Sequence, residues 1–186
     1  MARLSTQDAW WNDFKQTGNI DAFHSLHNYY YNYLVVFAFS YLKEKCNSEE
    51  VVDDVFIGLW EKRETLGEIR NIKSFLYTCT RNKSLDLLRK HNKAPQFEDD
   101  LFVIERAAWT EDVAEGMELK EFLNLLQQEI DKLPKQCKLI FRMHINDGLK
   151  NAEIAEILGL AKKTVEAQIY IAFKKLAAIL KSIYES

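Results

Sequence analysis

The sequence predicts an all-α protein: two small helical domains joined by an acidic flexible linker, the C-terminal one a helix-turn-helix. Three observations carry that prediction. The 186 residues include only six Gly and two Pro, so tight turns are few. Apolar residues recur three and four positions apart through most of the chain, the spacing of a buried helical stripe. In Gly148–Leu176 two such stripes meet at a sharp break: Ile154, Ala155, Ile157 and Leu158, then Val165, Ile169, Ala172, Phe173 and Leu176. Gly159 can take φ > 0 and stop the first of these helices. The small Ala155 lets the second helix cross closely, and Val165 packs into the angle between them.

The N-terminal domain is expected over residues 1–93. Ser5 or Thr6 can cap a first short helix, with Asp8 in its first turn, and Gly18 ends it. Asn19 can cap a second helix reaching about Lys45, with Phe23, Leu26, Tyr30, Leu34, Phe37 and Tyr41 as its apolar stripe. Tyr29, Tyr31 and Tyr33 widen that stripe as core aromatics. Ser48 looks like the cap of a third helix to about Arg63, with Glu49 and Glu50 at its positive end. Val51, Val52, Val55, Phe56, Leu59 and Trp60 face inward, and Glu50, Asp53, Asp54 and Glu61 form an acidic stripe opposite. After a loop at Glu64–Arg70, Asn71 opens a fourth helix to Lys93, with Ile72, Phe75, Leu76, Cys79, Leu85 and Leu88 as buried candidates. Arg70, Lys73, Arg81, Lys83, Arg89, Lys90 and Lys93 make this the most basic stretch.

Periodicity fades and charge reverses over residues 94–116, where Pro95 breaks the helix and Glu98, Asp99, Asp100, Glu105, Glu111, Asp112 and Glu115 face only Arg106. That composition reads as a linker, with short apolar patches at Leu101–Ile104 and Ala107–Trp109. The C-terminal domain follows over 117–186. Leu119, Phe122, Leu123, Leu126 and Ile130 mark a fifth helix from Met117 to Lys132. Pro134 suits the first turn of a sixth, which carries Cys137, Ile140, Phe141 and His144 and closes at Asp147-Gly148.

Composition narrows the function classes. Hydrophobic residues are 47% and aromatics 12%, enough for packed cores. Cys46, Cys79 and Cys137 are odd in number and lack CxxC spacing, which points to reduced thiols in a cytoplasmic protein. Met1–Gln16 lacks an apolar signal core, and Leu34–Phe39 is too short to span a bilayer, so no membrane insertion is expected. His24 and His27 have no third ligand near them, so no metal site is expected, nor any catalytic residue or cofactor. The formal net charge of −3 argues against nucleic-acid binding on its face, but the average hides local segregation. Clustered cations on the fourth helix are an electrostatic footprint for phosphate. On the last helix Lys162, Lys163, Thr164, Glu166, Ala167, Gln168, Tyr170 and Lys174 point away from the apolar face. Lysines there neutralise phosphates and Gln168 can pair with an adenine edge, as a second helix lying in a major groove requires.

The order of segments resembles the extracytoplasmic-function class of bacterial sigma factors. The match runs through Gly18–Leu34, Glu49–Arg63, Ile72–Lys90 (notably Arg81, Asn82, Leu85, Asp86, Leu88 and Arg89), Leu133–Phe141 and the helix-turn-helix. The resemblance implies region 2 followed directly by region 4 and assigns roles. Glu50, Asp53, Asp54 and Glu61 would dock on the β′ coiled coil of core RNA polymerase. Lys73, Arg81, Asn82, Lys83, Arg89 and Lys90 would serve reading and melting of the −10 element, and Glu64–Arg70 would receive a flipped base. Lys162, Lys163, Thr164, Glu166, Ala167, Gln168, Tyr170 and Lys174 would read the −35 element as duplex. Implied partners are core polymerase through the β′ coiled coil and the β flap, promoter DNA, and an anti-sigma factor, often membrane-anchored. Nucleotide addition would belong to the polymerase alone.

Three positions depart from that pattern: Asp53 where Gln is frequent, Lys150 where Ser or Thr would form a capping box with Glu153, and Ala161 where Ser is common. Asn151 offers an alternative cap one residue later. Two rival readings share the pattern. One is a helix-turn-helix regulator of two-component output type, which shifts duplex DNA without polymerase; residues 1–93 lack the strand–helix alternation of its receiver domain. The other is a helical interaction protein that binds an acidic partner and no DNA.

Overall fold

The computed structural model describes residues 5–91 and 125–184, with side chains described as far as 178. The linker at 94–116 with its apolar patches, and Met117, Leu119, Phe122 and Leu123, lie outside the described residues. The chain divides into two compact units, Met1–Phe102 and Val103–Ser186. All regular structure among the described residues is helical.

The first unit contains α1 (Thr6–Thr17), α2 (Ile20–Leu42), α3 (Lys45–Glu61) and α4 (Ile72–Lys90). Local chemistry sets three of its starts. Ser5 Oγ accepts from the Asp8 N–H at 3.1 Å, Asn19 Oδ1 from the Asp21 N–H at 2.9 Å, and Asn71 Oδ1 from the Ser74 N–H at 3.0 Å. Gly18 closes α1 with φ 74°. A Cβ at Gly18 would also collide with the Arg63 guanidinium. Gly18→Ala therefore combines left-handed strain with displacement of Arg63, and we expect the midpoint of the first unit to fall by about 5–10 °C. A circular-dichroism melt of the full chain checks it.

Two helix boundaries differ from the sequence expectation. The second helix ends at Leu42 instead of near Lys45, because Lys43 turns left-handed at φ 59° and its N–H returns to Phe39 O at 3.1 Å. The third helix then begins at Lys45, so Ser48 is not its cap. Ser48 is fully buried, and its hydroxyl donates to the Glu44 carbonyl at 2.6 Å. Glu49 and Glu50 consequently sit beyond the first turn, and Glu49 pairs with Lys45 at 3.6 Å.

The core gathers Trp11 and Phe14 from α1, and Leu26, Tyr30, Leu34, Phe37 and Tyr41 from α2. Val51, Val52, Val55, Phe56 and Leu59 from α3, and Ile72, Leu76, Tyr77 and Leu88 from α4, complete it. Phe23 and Trp60 were expected inside but sit at its rim: Phe23 is half-buried and Trp60 is 40% exposed. Their rings meet at 5.0 Å, and both lie against Phe14. Of the tyrosine cluster only Tyr30 is fully inside; Tyr29 is exposed, and Tyr31 and Tyr33 are half-buried.

The buried face of α4 is rotated from the one the apolar residues suggest. Phe75, Cys79 and Leu85 are half-buried, whereas Tyr77, Thr80 and Ser84 are buried. Thr80 and Ser84 tolerate this because each hydroxyl donates to a carbonyl one turn back, Leu76 O at 2.9 Å and Thr80 O at 2.8 Å. The helix ends at Lys90, with His91 in a turn, instead of continuing to Lys93.

The second unit contains α5 (described over 125–131), α6 (Lys135–Ile145), α7 (Asn151–Leu158) and α8 (Lys162–Tyr184). Leu133, Cys137, Phe141, Ala172 and Leu176 form its core, with Leu126 and Ile130 packed against them. The Asp131 carboxylate ties α5 to α6 by accepting from Arg142 at 3.1 Å, with Lys138 Nζ at 3.7 Å. Pro134 stands at the N-cap of α6, one position before the first turn. Gly148 turns left-handed at φ 61°, and the Leu149 N–H returns to Met143 O at 3.1 Å.

Candidate nucleic-acid and polymerase interfaces

In the second unit Gly159 stops α7 with φ 67°, and the Leu160 N–H closes the turn on Ala155 O at 2.9 Å. Ala155 is 7% exposed and Val165 fully buried, so both fill the angle between α7 and α8. Ile169, Ala172 and Leu176 continue the buried face. Phe173 was expected on that face but is 46% exposed, touching the core edge-on through Phe141 at 5.4 Å.

The candidate recognition residues stand outward. Lys162, Lys163, Thr164, Glu166, Ala167, Tyr170 and Lys174 are exposed, and Gln168 is half-buried. Lys162 and Glu166 pair at 3.4 Å one turn apart, so the helix presents balanced charge near its start and free cations further along. The backbone of Gln168 is fixed from below: the Cys137 thiol donates to its carbonyl at 3.2 Å. Burial pushes that thiol, and the one of Cys79, above the ordinary range.

The two capping departures take physical form here. Lys150 is the N-cap residue of α7, and its side chain offers no acceptor. Glu153 supplies half of a capping box, accepting from the Lys150 N–H at 2.7 Å; Asn151 lies inside the helix and is not the cap. At the start of α8, Ala161 brings only its carbonyl, which accepts from the Thr164 N–H at 2.9 Å and the Val165 N–H at 3.3 Å. Ala161→Ser adds the missing acceptor, worth about 1 kcal/mol, and should raise the melting midpoint of the second unit by a few degrees. An unchanged or lower midpoint would count against this cap.

In the first unit Glu50, Asp53, Asp54 and Glu61 are all exposed on α3. Asp53 accepts a hydrogen bond from the Tyr31 phenol, whose pKa is raised by burial and by the charges of Asp53 and Glu49. Asp54 is bound to Lys83 of α4 at 2.8 Å. One member of the acidic set and one of the basic set therefore hold each other, a contact of small worth at this exposure.

The remaining α4 residues divide by depth. Arg81 is half-buried and hydrogen-bonds the buried Tyr41 phenol. Lys73 is half-buried. Asn82, Arg89 and Lys90 are exposed, and Arg89 reaches Asp86 at 2.7 Å. Among the described residues no group of three or more His, Cys, Asp or Glu side chains has metal-binding geometry, and no helix is long and apolar enough to cross a membrane.

A helix-turn-helix with a polar outward face, and a separate helical unit bearing acid on one helix and cations on the next, define a DNA-binding protein of the transcription machinery. Comparison with known families places it further. Residues 26–94 match the family described as sigma-70 region 2, and residues 123–176 match sigma-70 region 4. The RNA polymerase sigma factor SigV of Bacillus subtilis (strain 168) is 29% identical over 137 residues, 74% of this chain and 78% of that one. The ECF RNA polymerase sigma factor SigW of the same organism is 26% identical over 165 residues, 82% of this chain and 86% of that one. The fold is shared with the sigma factor RpoE of Bartonella quintana, solved in complex with the anti-sigma factor NepR: TM-score 0.54 and 21% identity, covering 87% of this chain and 98% of that chain.

The chain belongs to the sigma-70 family, as an RNA polymerase sigma factor of the extracytoplasmic-function class. It binds RNA polymerase and DNA, directs transcription initiation, and is not itself an enzyme.

Proposed function

We propose a division of labour among three helices. The exposed acids of α3, Glu50, Asp53 and Glu61, dock on basic residues of the β′ coiled coil, with Asp54 joining them when Lys83 lets go. The end of α4, through Asn82, Arg89 and Lys90, holds the −10 element during opening, and the loop Glu64–Arg70 receives a base turned out of the stack. Lys73 and Lys83 add cations beside them, and Arg81, bonded to Tyr41, orients α4 from within. The outward face of α8 reads the −35 element as duplex while the second unit rests on the β flap.

The observation that carries this reading is the segregation of charge in the first unit: acids outward on α3, cations outward at the end of α4. One sign suits a basic protein surface and the other a phosphate backbone. The protein acts in the cytoplasm, where core polymerase is. The solved complex of the Bartonella quintana sigma factor with NepR supports an anti-sigma partner here too, one that covers these same faces. Run-off transcription with purified core on a promoter library tests the reading. Defined start sites preceded by shared −35 and −10 sequences are expected; transcription indifferent to either element would refute the assignment.

A further inference from the structure

The loop Glu64–Arg70 does not stand alone. Its first half is a turn: the Lys62 carbonyl accepts from Thr65 N–H at 2.9 Å, Leu66 N–H at 2.8 Å and the Thr65 hydroxyl at 3.0 Å. Beyond that turn, the Lys15 ammonium of α1 donates to the Gly67 carbonyl at 2.6 Å, across 52 residues of sequence. The Lys15 stem is itself directed, because its ammonium sits 5.9 Å from the centre of the Trp11 ring one turn earlier. Trp11 and Phe14 are locked in the core. The same helix meets the approach to the loop twice more. The Phe14 ring stacks on Trp60 at 5.3 Å, and the Gly18 backbone lies under the Arg63 guanidinium. Three ties in register, to residues 60, 63 and 67, brace one side of the loop with α1. The region 2 match begins at residue 26, so α1 lies outside the matched part.

We propose that α1 is a strut for the base-receiving loop and that Lys15 is its positioning residue, fixing the backbone at Gly67 so that the loop discriminates between bases. This rests on the reading of Glu64–Arg70 as the base pocket. A rigid loop rejects a wrong base because it does not re-form around it; a loop freed at Gly67 adapts and loses selectivity. At Gly67 an added Cβ would meet nothing within 4 Å, so the carbonyl tie, not side-chain packing, is what holds this point.

The test uses the full chain bound to core polymerase, with fork-junction DNA of a promoter selected in the run-off library. Each −10 position of the non-template strand is substituted in turn. Lys15→Met keeps the stem over Trp11 and removes the donor; Lys15→Arg keeps a donor. With Lys15→Met, preference at one −10 position should narrow by about tenfold, the scale of one charged hydrogen bond. Core affinity, melting midpoint and the salt slope of DNA binding should stay unchanged, and Lys15→Arg should restore the preference. A uniform loss at every position with a shallower salt slope would mean that Lys15 is a phosphate contact, and the strut would be refuted. Ile69→Ala and Arg70→Ala separate the two readings. If they relax one position and Lys15→Met does not, the strut fails and the pocket stands. If they relax none, the pocket fails and the strut with it.

Discussion

Reversing Glu50 and Asp53 to lysine should weaken assembly with core polymerase by about 100-fold while the first unit melts at its usual temperature. Both side chains are exposed, so the fold has no stake in their sign. Two desolvated charge pairs turned repulsive account for that factor at about tenfold each. Asp54 is left in place deliberately. It is bound to Lys83, and a lysine there would set two cations together and loosen α3 from α4. The weakening should shrink at high salt, because screening removes attraction in the parent and repulsion in the variant alike. Fluorescence anisotropy of labelled protein titrated with core measures it; an affinity within twofold of the parent would remove α3 from the polymerase contact.

Neutralising Arg89 together with Lys90 should leave promoter binding as closed duplex nearly intact and reduce strand opening about tenfold. These two cations are exposed at the end of α4, and no core contact is lost with them. Removing Arg89 also releases Asp86, which then faces the strand as an unpaired anion. Two lost phosphate contacts should lower the salt slope for single-stranded −10 DNA by about 1.4. Permanganate reactivity of thymines in the opened segment reads the opening directly. Normal reactivity at every salt concentration would assign melting to other residues.

What the sequence made legible was whatever depends on local chemistry. Ser5, Asn19 and Asn71 cap because a short acceptor before an apolar stripe has little else to do. Gly18 and Gly159 turn because few other residues turn left-handed so freely. The helix-turn-helix was visible for the same reason. Misreadings arose where a polar residue has two uses. Ser48 looks like a cap, and Thr80 and Ser84 look like surface, yet all three bury hydroxyls that bond a carbonyl one turn back. A left-handed Lys43 gives no signal at all in sequence. The candidate interface was legible as sets of charges but not as depths. That Lys83 faces Asp54, or that Arg81 turns inward to Tyr41, follows from how α4 is rotated against α2 and α3. Lys15 was missed entirely, because its partner is a backbone carbonyl 52 residues away.

The central claim is that one helix of the first unit touches protein and the next touches DNA. Photo-crosslinking in the open promoter complex tests it most directly, with a crosslinking side chain replacing Asp53 in one sample and Lys90 in another. The account predicts adducts of the first with the β′ subunit and none with DNA, and adducts of the second with the non-template strand near the −10 element. Adducts from position 53 to DNA, or from position 90 to polymerase alone, would contradict it.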